Sequence, residues 1–144
     1  MKVKGIETIV TRILVELSER GFRVTAARRE VVRAFAQSPI PQTIRDLAQR
    51  VSADEVSVYR TVALLVENKM VEVIEGMGET KRYSLYPGTH HHHIVCTKCG
   101  YTAHIPCDEV ERARVSHPTF SSIMRHSVTY YGQCRSCTII RHSV

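Results

Sequence analysis

His90-His91-His92-His93-Ile94-Val95-Cys96-Thr97-Lys98-Cys99 is the stretch around which the rest of the chain is ordered. Four histidines run directly into a Cys-x-x-Cys pair, and a second pair, Cys134 and Cys137, lies near the C-terminus. Two such pairs supply four thiolates, the ligand set of a closed, tetrahedral zinc site. Zinc suits four sulfurs because it tolerates soft ligands and has no redox chemistry. With no open position, the site is expected to be structural and to contribute folding energy. The competing reading is two unrelated Cys-x-x-Cys turns, or a redox dithiol. Cys107 is left unpaired by spacing and reads as a small residue at a helix start.

Along a strand, successive side chains face opposite sides. His90 and His92 therefore point one way, and His91 and His93 the other, so one strand can feed two metal sites. A cloning tag is the bland alternative, but the run is internal and joined to a Cys-x-x-Cys. Further donors downstream are His104, Glu111, His117 and His126. A mixed imidazole and carboxylate shell takes zinc, iron(II), manganese, cobalt or nickel.

Short strands are expected at 92–95 and 101–105, flanking the first cysteine turn, and at 127–132 before the second. A helix is expected from Asp108 to Val115, stopped by Pro118. Upstream, Pro87-Gly88 reads as a hinge. Before it, Val71, Val73, Tyr83 and Leu85 flank Gly76-Met77-Gly78, a hairpin signal. Earlier still the periodicity is helical. Ile6, Ile9, Val10, Ile13, Leu14 and Leu17 form one stripe that ends at Gly21. Thr25 is placed to cap a second helix carrying Ala27, Val31, Val32 and Phe35 inward, and Ser38-Pro39-Ile40-Pro41 breaks it.

Thr43 caps a short helix with Ile44, Leu47, Ala48 and Val51. Ser52 and Glu55 have capping-box spacing before a helix that runs to about Lys69. That helix turns Val58, Val62, Leu65 and Val66 inward and Ser57, Tyr59, Arg60 and Thr61 outward. The pattern is a helix-turn-helix followed by a hairpin, a winged helix.

A chain of 144 residues at 43 % hydrophobic and 24 % charged is globular in composition. Its net charge of +6 favours polyanionic partners. Arg20, Arg23, Arg28, Arg29 and Arg33 fall within fourteen residues, with only Glu30 opposing them inside that span, either as a solvated helix face or as phosphate contacts. Glu7, Arg12 and Glu16 interrupt the N-terminal apolar stretch, so neither a secretory signal nor a membrane span is expected. Cysteines in an unsecreted chain argue for metal ligation over disulfides.

Taken together, these pieces resemble the ferric-uptake-regulator family of bacterial metal-responsive repressors over about residues 7–138. The matching residues are Gly21-Phe22-Arg23-Val24-Thr25 with Arg28, Ser57-Val58-Tyr59-Arg60-Thr61, His90–His93 with Cys96-x-x-Cys99, Glu111, His126, and Tyr131-Gly132-x-Cys134-x-x-Cys137. The resemblance implies an α+β fold: a winged helix-turn-helix DNA-binding domain (1–86), a hinge (87–89) and a small α/β dimerisation domain (90–144) with the four-cysteine zinc site. It implies a cytoplasmic homodimer on a palindromic operator in double-stranded DNA. Ser57, Tyr59, Arg60 and Thr61 would meet the major groove and phosphates, with Arg28 among the phosphate contacts and Arg23 at the minor groove.

The resemblance also implies two exchangeable metal sites, for Zn2+ or Fe2+, beside the structural Zn2+. His90, His92, Glu111 and His126 match the one inside the dimerisation domain. For the inter-domain regulatory site His91 and His93 match, and His104 and Glu72 stand near expected ligand positions. Pro41 and Ser84 replace a histidine and a carboxylate that many members carry. The nitrogen-rich shell that remains leans towards zinc or nickel over manganese. Two further classes stay open on the residues alone. One is a metalloenzyme, which lacks an H-E-x-x-H or comparable base and leaves the winged helix unexplained. The other is a metal-storage protein with no DNA target.

Overall fold

Helix α1 (Lys2–Glu19) starts four residues before the first residue of the apolar stripe and ends where glycine permits. Gly21 has φ +85°; its N–H bonds the Ser18 carbonyl, and the Phe22 N–H bonds Leu17. This is a Schellman stop, which needs a residue that accepts a left-handed backbone. The computed structural model describes residues 2–74, 80–109, 115–124 and 126–139. Two units divide the chain, Met1–Gly88 and Thr89–Val144.

In the first unit, α2 (Ala26–Gln37) is capped by Thr25, whose hydroxyl accepts the Arg28 N–H at 3.3 Å. The short α3 (Ile44–Ala48) has a reciprocal capping box between Thr43 and Asp46. The Thr43 amide and hydroxyl in turn hold the Asp46 carboxyl below its ordinary range. Helix α4 (Glu55–Glu67) corrects the expected cap. Asp54 is the N-cap, accepting from the Ser57 amide at 3.0 Å and its hydroxyl at 2.7 Å. Ser52 instead donates its N–H to Glu30 on α2 at 2.6 Å. Asp54 wins because it is the residue immediately before the first helical turn, where an ionised oxygen also meets the helix dipole.

Val10, Leu14 and Leu17 of α1 pack with Val31, Val32 and Phe35 of α2, Leu47 of α3, and Val58, Val62 and Leu65 of α4. Strands β1 (Val71–Ile74) and β2 (Arg82–Leu85) pair antiparallel with Val71 opposite Leu85. Gln42 adds a bridge to Tyr83 through two 2.8 Å backbone bonds, so the loop before α3 is tied to the hairpin. The expected turn at Gly76-Met77-Gly78 lies outside the described residues.

The second unit is a three-stranded sheet in the order β4-β3-β5. Central β3 (His91–Cys96) runs antiparallel to β4 (Thr102–Pro106) and parallel to β5 (Thr129–Gly132). The first cysteine turn joins β3 to β4, with Gly100 at φ +74° donating to the Cys96 carbonyl at 2.9 Å. The second pair leads into a short helix, α5 (Arg135–Ile139), so Cys137 sits on a helical turn. Of the helix expected from Asp108 to Val115, the described part is a single 3-10 turn, Cys107–Glu109. Residues 110–114 lie outside the description.

Two substitutions rank the forces in the first unit. Thr43→Ala removes one half of the capping box and should cost about 1 kcal/mol. Leu65→Ala, at a fully buried position, should cost roughly 2–5 kcal/mol. Urea unfolding read by circular dichroism checks both; equal losses would contradict the assignment of Leu65 to the core.

Candidate metal centres and nucleic-acid face

The sheet register decides which donors meet. His93 is opposite His104, and His92 is opposite Ile105. The same antiparallel register carried one step further sets His90 against Cys107. Side chains directly opposite share a face. One face therefore collects His91, His93 and His104, and the other His90, His92 and Cys107.

On the second face the loop before β5 adds His126. The Nε2 atoms of His126 and His92 are 3.1 Å apart, those of His90 and His126 3.3 Å, and Cys107 Sγ is 3.4 Å from His126 Nε2. The four donor atoms all lie within 4.8 Å of one another. His92 is 1 % exposed, and Val128 donates its N–H to His92 Nδ1 at 3.2 Å. Burial, then the neighbouring His126 and His90 charges, pull its pKa below the ordinary 6.5. With Nδ1 accepting from Val128, the neutral ring carries its proton on Nε2, so ligation through Nε2 requires the proton to move to Nδ1 and the Val128 hydrogen bond to be given up. Glu111, the carboxylate expected here, lies outside the described residues.

On the first face, His91 Nδ1 donates to the Thr89 carbonyl at 2.8 Å, which puts the ring proton on Nδ1 and the lone pair on Nε2. His91 and His93 Nε2 are 3.1 Å apart, and the His104 ring centroid lies 4.7 Å from that of His91. Glu72 is half-buried on β1 of the first unit, opposite Ser84. His117 instead takes the Thr119 N–H at 3.3 Å in a local turn, away from both clusters.

Cys96, Cys99, Cys134 and Cys137 form the third group, again within 4.8 Å, and all are free thiols. Cys99 and Cys134 sulfurs are 3.7 Å apart. A tetrahedral zinc with Zn–S near 2.3 Å has sulfur–sulfur edges of about 3.8 Å, so the set fits zinc. The Cys134 N–H points at Cys96 Sγ at 3.3 Å. That amide, with those of Cys99 and Lys98, holds the Cys96 thiol down to about 6. Cys137, hydrogen-bonded to Cys134 and Cys99, is pushed up to about 12. Sulfur anions cannot crowd together without a cation, so the cluster ionises fully only when a metal neutralises it.

In the first unit, Tyr59 and Arg60 are exposed on α4. Val56 and Ala63 share their face at helical spacing, and Val56 is 58 % exposed. Sequence reading missed Val56; the i, i+3, i+4, i+7 pattern through Tyr59, Arg60 and Ala63 is the signal that finds it. Thr61 is a correction. At 4 % exposure it lies on the core side with Val58 and Leu65, because three residues separate it from Val58. Ser57 spends its hydroxyl on Asp54. The arginine cluster is also partly spoken for. Arg33 pairs with Glu7 at 3.1 Å, and Arg20 pairs with Glu16 and donates to the Asn68 carbonyl at 3.1 Å. Arg28 donates to the Arg23 carbonyl, which steadies the turn that carries the exposed Arg23. Glu7 reaches Arg33 across the α1–α2 pair, where sequence neighbours could not show it, whereas Glu16 lies four residues before Arg20 on the same helical face.

A model of the ferric uptake regulator family matches residues 19–131. The ferric uptake regulation protein of Synechococcus elongatus is 30 % identical over 132 residues, spanning 85 % of this chain and 90 % of that one. The Helicobacter pylori ferric uptake regulator, described as having three functional metal-binding sites, superposes with a TM-score of 0.71 at 22 % identity, over 92 % of this chain and 93 % of that one. A zinc uptake regulator complexed with zinc and DNA superposes with a TM-score of 0.71 at 20 % identity, over 96 % and 98 %.

Cys96→Ser should strip zinc from the purified protein and loosen the second unit. Elemental analysis and near-ultraviolet circular dichroism read this, and a variant that keeps one zinc per chain would refute the four-thiolate site. His92 gives a pH prediction. Its folded pKa lies below its unfolded 6.5, so the group costs the fold nothing above 6.5 and destabilises it as pH falls below that value. Imidazole nitrogen spectra of protein carrying metal only in the four-cysteine site should show His92 titrating below 6.5; a midpoint at or above 6.5 would contradict its burial.

Proposed function

The chain belongs to the ferric uptake regulator family, and from that premise we propose that it is a metal-responsive, DNA-binding transcriptional repressor. Membership sets it among regulators and not among enzymes. The observation that carries the reading is the joining, in one chain, of an exposed helix face in a winged helix to clusters of metal donors on both faces of β3.

In this reading residues 1–86 read DNA, 87–89 are the hinge and 90–144 dimerise. Two copies present two α4 helices to the two halves of a palindromic operator. Arg60 and Tyr59 meet the major groove and its phosphates, Val56 offers an apolar contact to a thymine methyl, and Arg23 reaches the minor groove. A cytoplasmic location follows from a DNA target. Among the described residues no helix is long and apolar enough to cross a membrane.

Regulation is a population shift. His91, His93 and His104 take the sensed divalent ion, zinc or iron(II), with Glu72 kept from the sequence as the candidate fourth donor. The ion favours the DNA-competent arrangement only if it binds that arrangement more tightly than the alternatives. The four thiolates hold a structural zinc that stays in place throughout. Affinity for DNA then comes mainly from Arg and Lys contacts to phosphate and falls as salt rises.

A gel shift on a palindromic promoter fragment, with and without added metal, tests the whole reading. Metal should increase retention, and retention indifferent to every divalent metal would end it. Arg60→Ala should weaken binding about tenfold or more, on the scale of 1–3 kcal/mol for a lost base contact, with metal content unchanged. His91→Ala combined with His93→Ala should leave DNA binding blind to metal.

A further inference from the structure

We propose that Cys107 is the fourth ligand of the site on the even-numbered histidine face, making it a three-imidazole, one-thiolate centre selective for zinc. The inference deepens the metal-site part of the proposed function and rests on it. Three histidines and one cysteine converge there from three separate segments. His92 comes from the central strand and His90 from the residue just before it, Cys107 from the 3-10 turn after β4, and His126 from the loop before β5.

The distances fit a particular polyhedron. With Zn–N of about 2.0–2.1 Å and Zn–S of about 2.3 Å, a tetrahedron has nitrogen–nitrogen edges of about 3.3 Å and nitrogen–sulfur edges of about 3.6 Å. The observed edges from His126 are 3.1 Å to His92, 3.3 Å to His90 and 3.4 Å to Cys107 sulfur. An octahedron with bonds of about 2.0–2.1 Å, the shell magnesium demands, has shorter cis edges of about 2.9 Å, so the observed edges lie nearer the tetrahedral values.

Chemistry points the same way. A thiolate is a soft donor and carries the negative charge that three neutral imidazoles lack. It replaces in function the carboxylate that the family resemblance assigns to Glu111. Thiolate with imidazole ranks zinc well above manganese and above iron(II). The site also ties three segments of a thinly packed unit, so its ion would order the sheet as well as report on metal supply.

Cobalt(II) provides the test, because a thiolate bound to it gives a near-ultraviolet sulfur-to-cobalt band. Full-length protein is purified with its four-cysteine site filled by zinc, and cobalt is then titrated in while elemental analysis tracks that zinc. One zinc per chain should be retained, and the sulfur band should grow with cobalt. Cys107→Ser should abolish the band, and Glu111→Gln should keep it. Excess manganese should leave it in place. Absence of the band in the unmodified protein, its survival in Cys107→Ser, or its displacement by manganese would each overturn the proposal. The gel shift reads the regulatory function separately: a protein that gives the band yet shows no metal-dependent DNA retention keeps the cysteine ligand and loses the repressor.

Discussion

The second unit cannot hold itself together by burying apolar surface. Among its described residues, Val95 and Cys96 are the buried members of the hydrophobic class, and His92, His93 and Thr102 are the buried polar ones. A piece of about this size needs a metal or a partner chain when its core is so thin. Ligation supplies what packing does not. The four thiolates lie at the β3–β4 turn and around the start of α5, where a shared ion would clip together the C-terminal ends of the parallel strands β3 and β5. The first unit is built the other way. Its four helices share one continuous core, and its polar contacts finish helix ends and turns.

That division explains where each part of the molecule can change. The helical unit presents Tyr59 and Arg60 from a helix whose other face is locked by Val58, Val62 and Leu65. The arginines beside it divide the labour. Arg20 and Arg33 brace α1 against α4 and α2, and Arg23 remains at the surface on a turn braced by Arg28. Charge on this surface is therefore less of a uniform phosphate field than the composition implies.

Much of this was legible in the residues. Apolar spacing located α1, α2 and α4, and Gly21, Thr25 and Thr43 marked the ends that the structure uses. Strand alternation alone separated the even from the odd histidines. What failed depended on information that local pattern does not hold. Ser52 looked like a cap until Glu30, from another helix, claimed its amide. Thr61 looked polar and outward, but its angular position beside Val58 buries it. Cys107 looked unpaired because its partners are set by strand register, and register depends on the length of the cysteine turn.

The alternation along β3 has an evolutionary corollary. A strand's period of two means that a shift by one residue turns every side chain to the opposite face. Inserting or deleting a single residue between His93 and Cys96 would exchange the two histidine pairs and hand each site the other's second-strand donors, His104 or Cys107. Both centres would be lost in one event. This segment can therefore diverge by substitution but not by changes in length, and a new metal preference has to arise at one donor at a time.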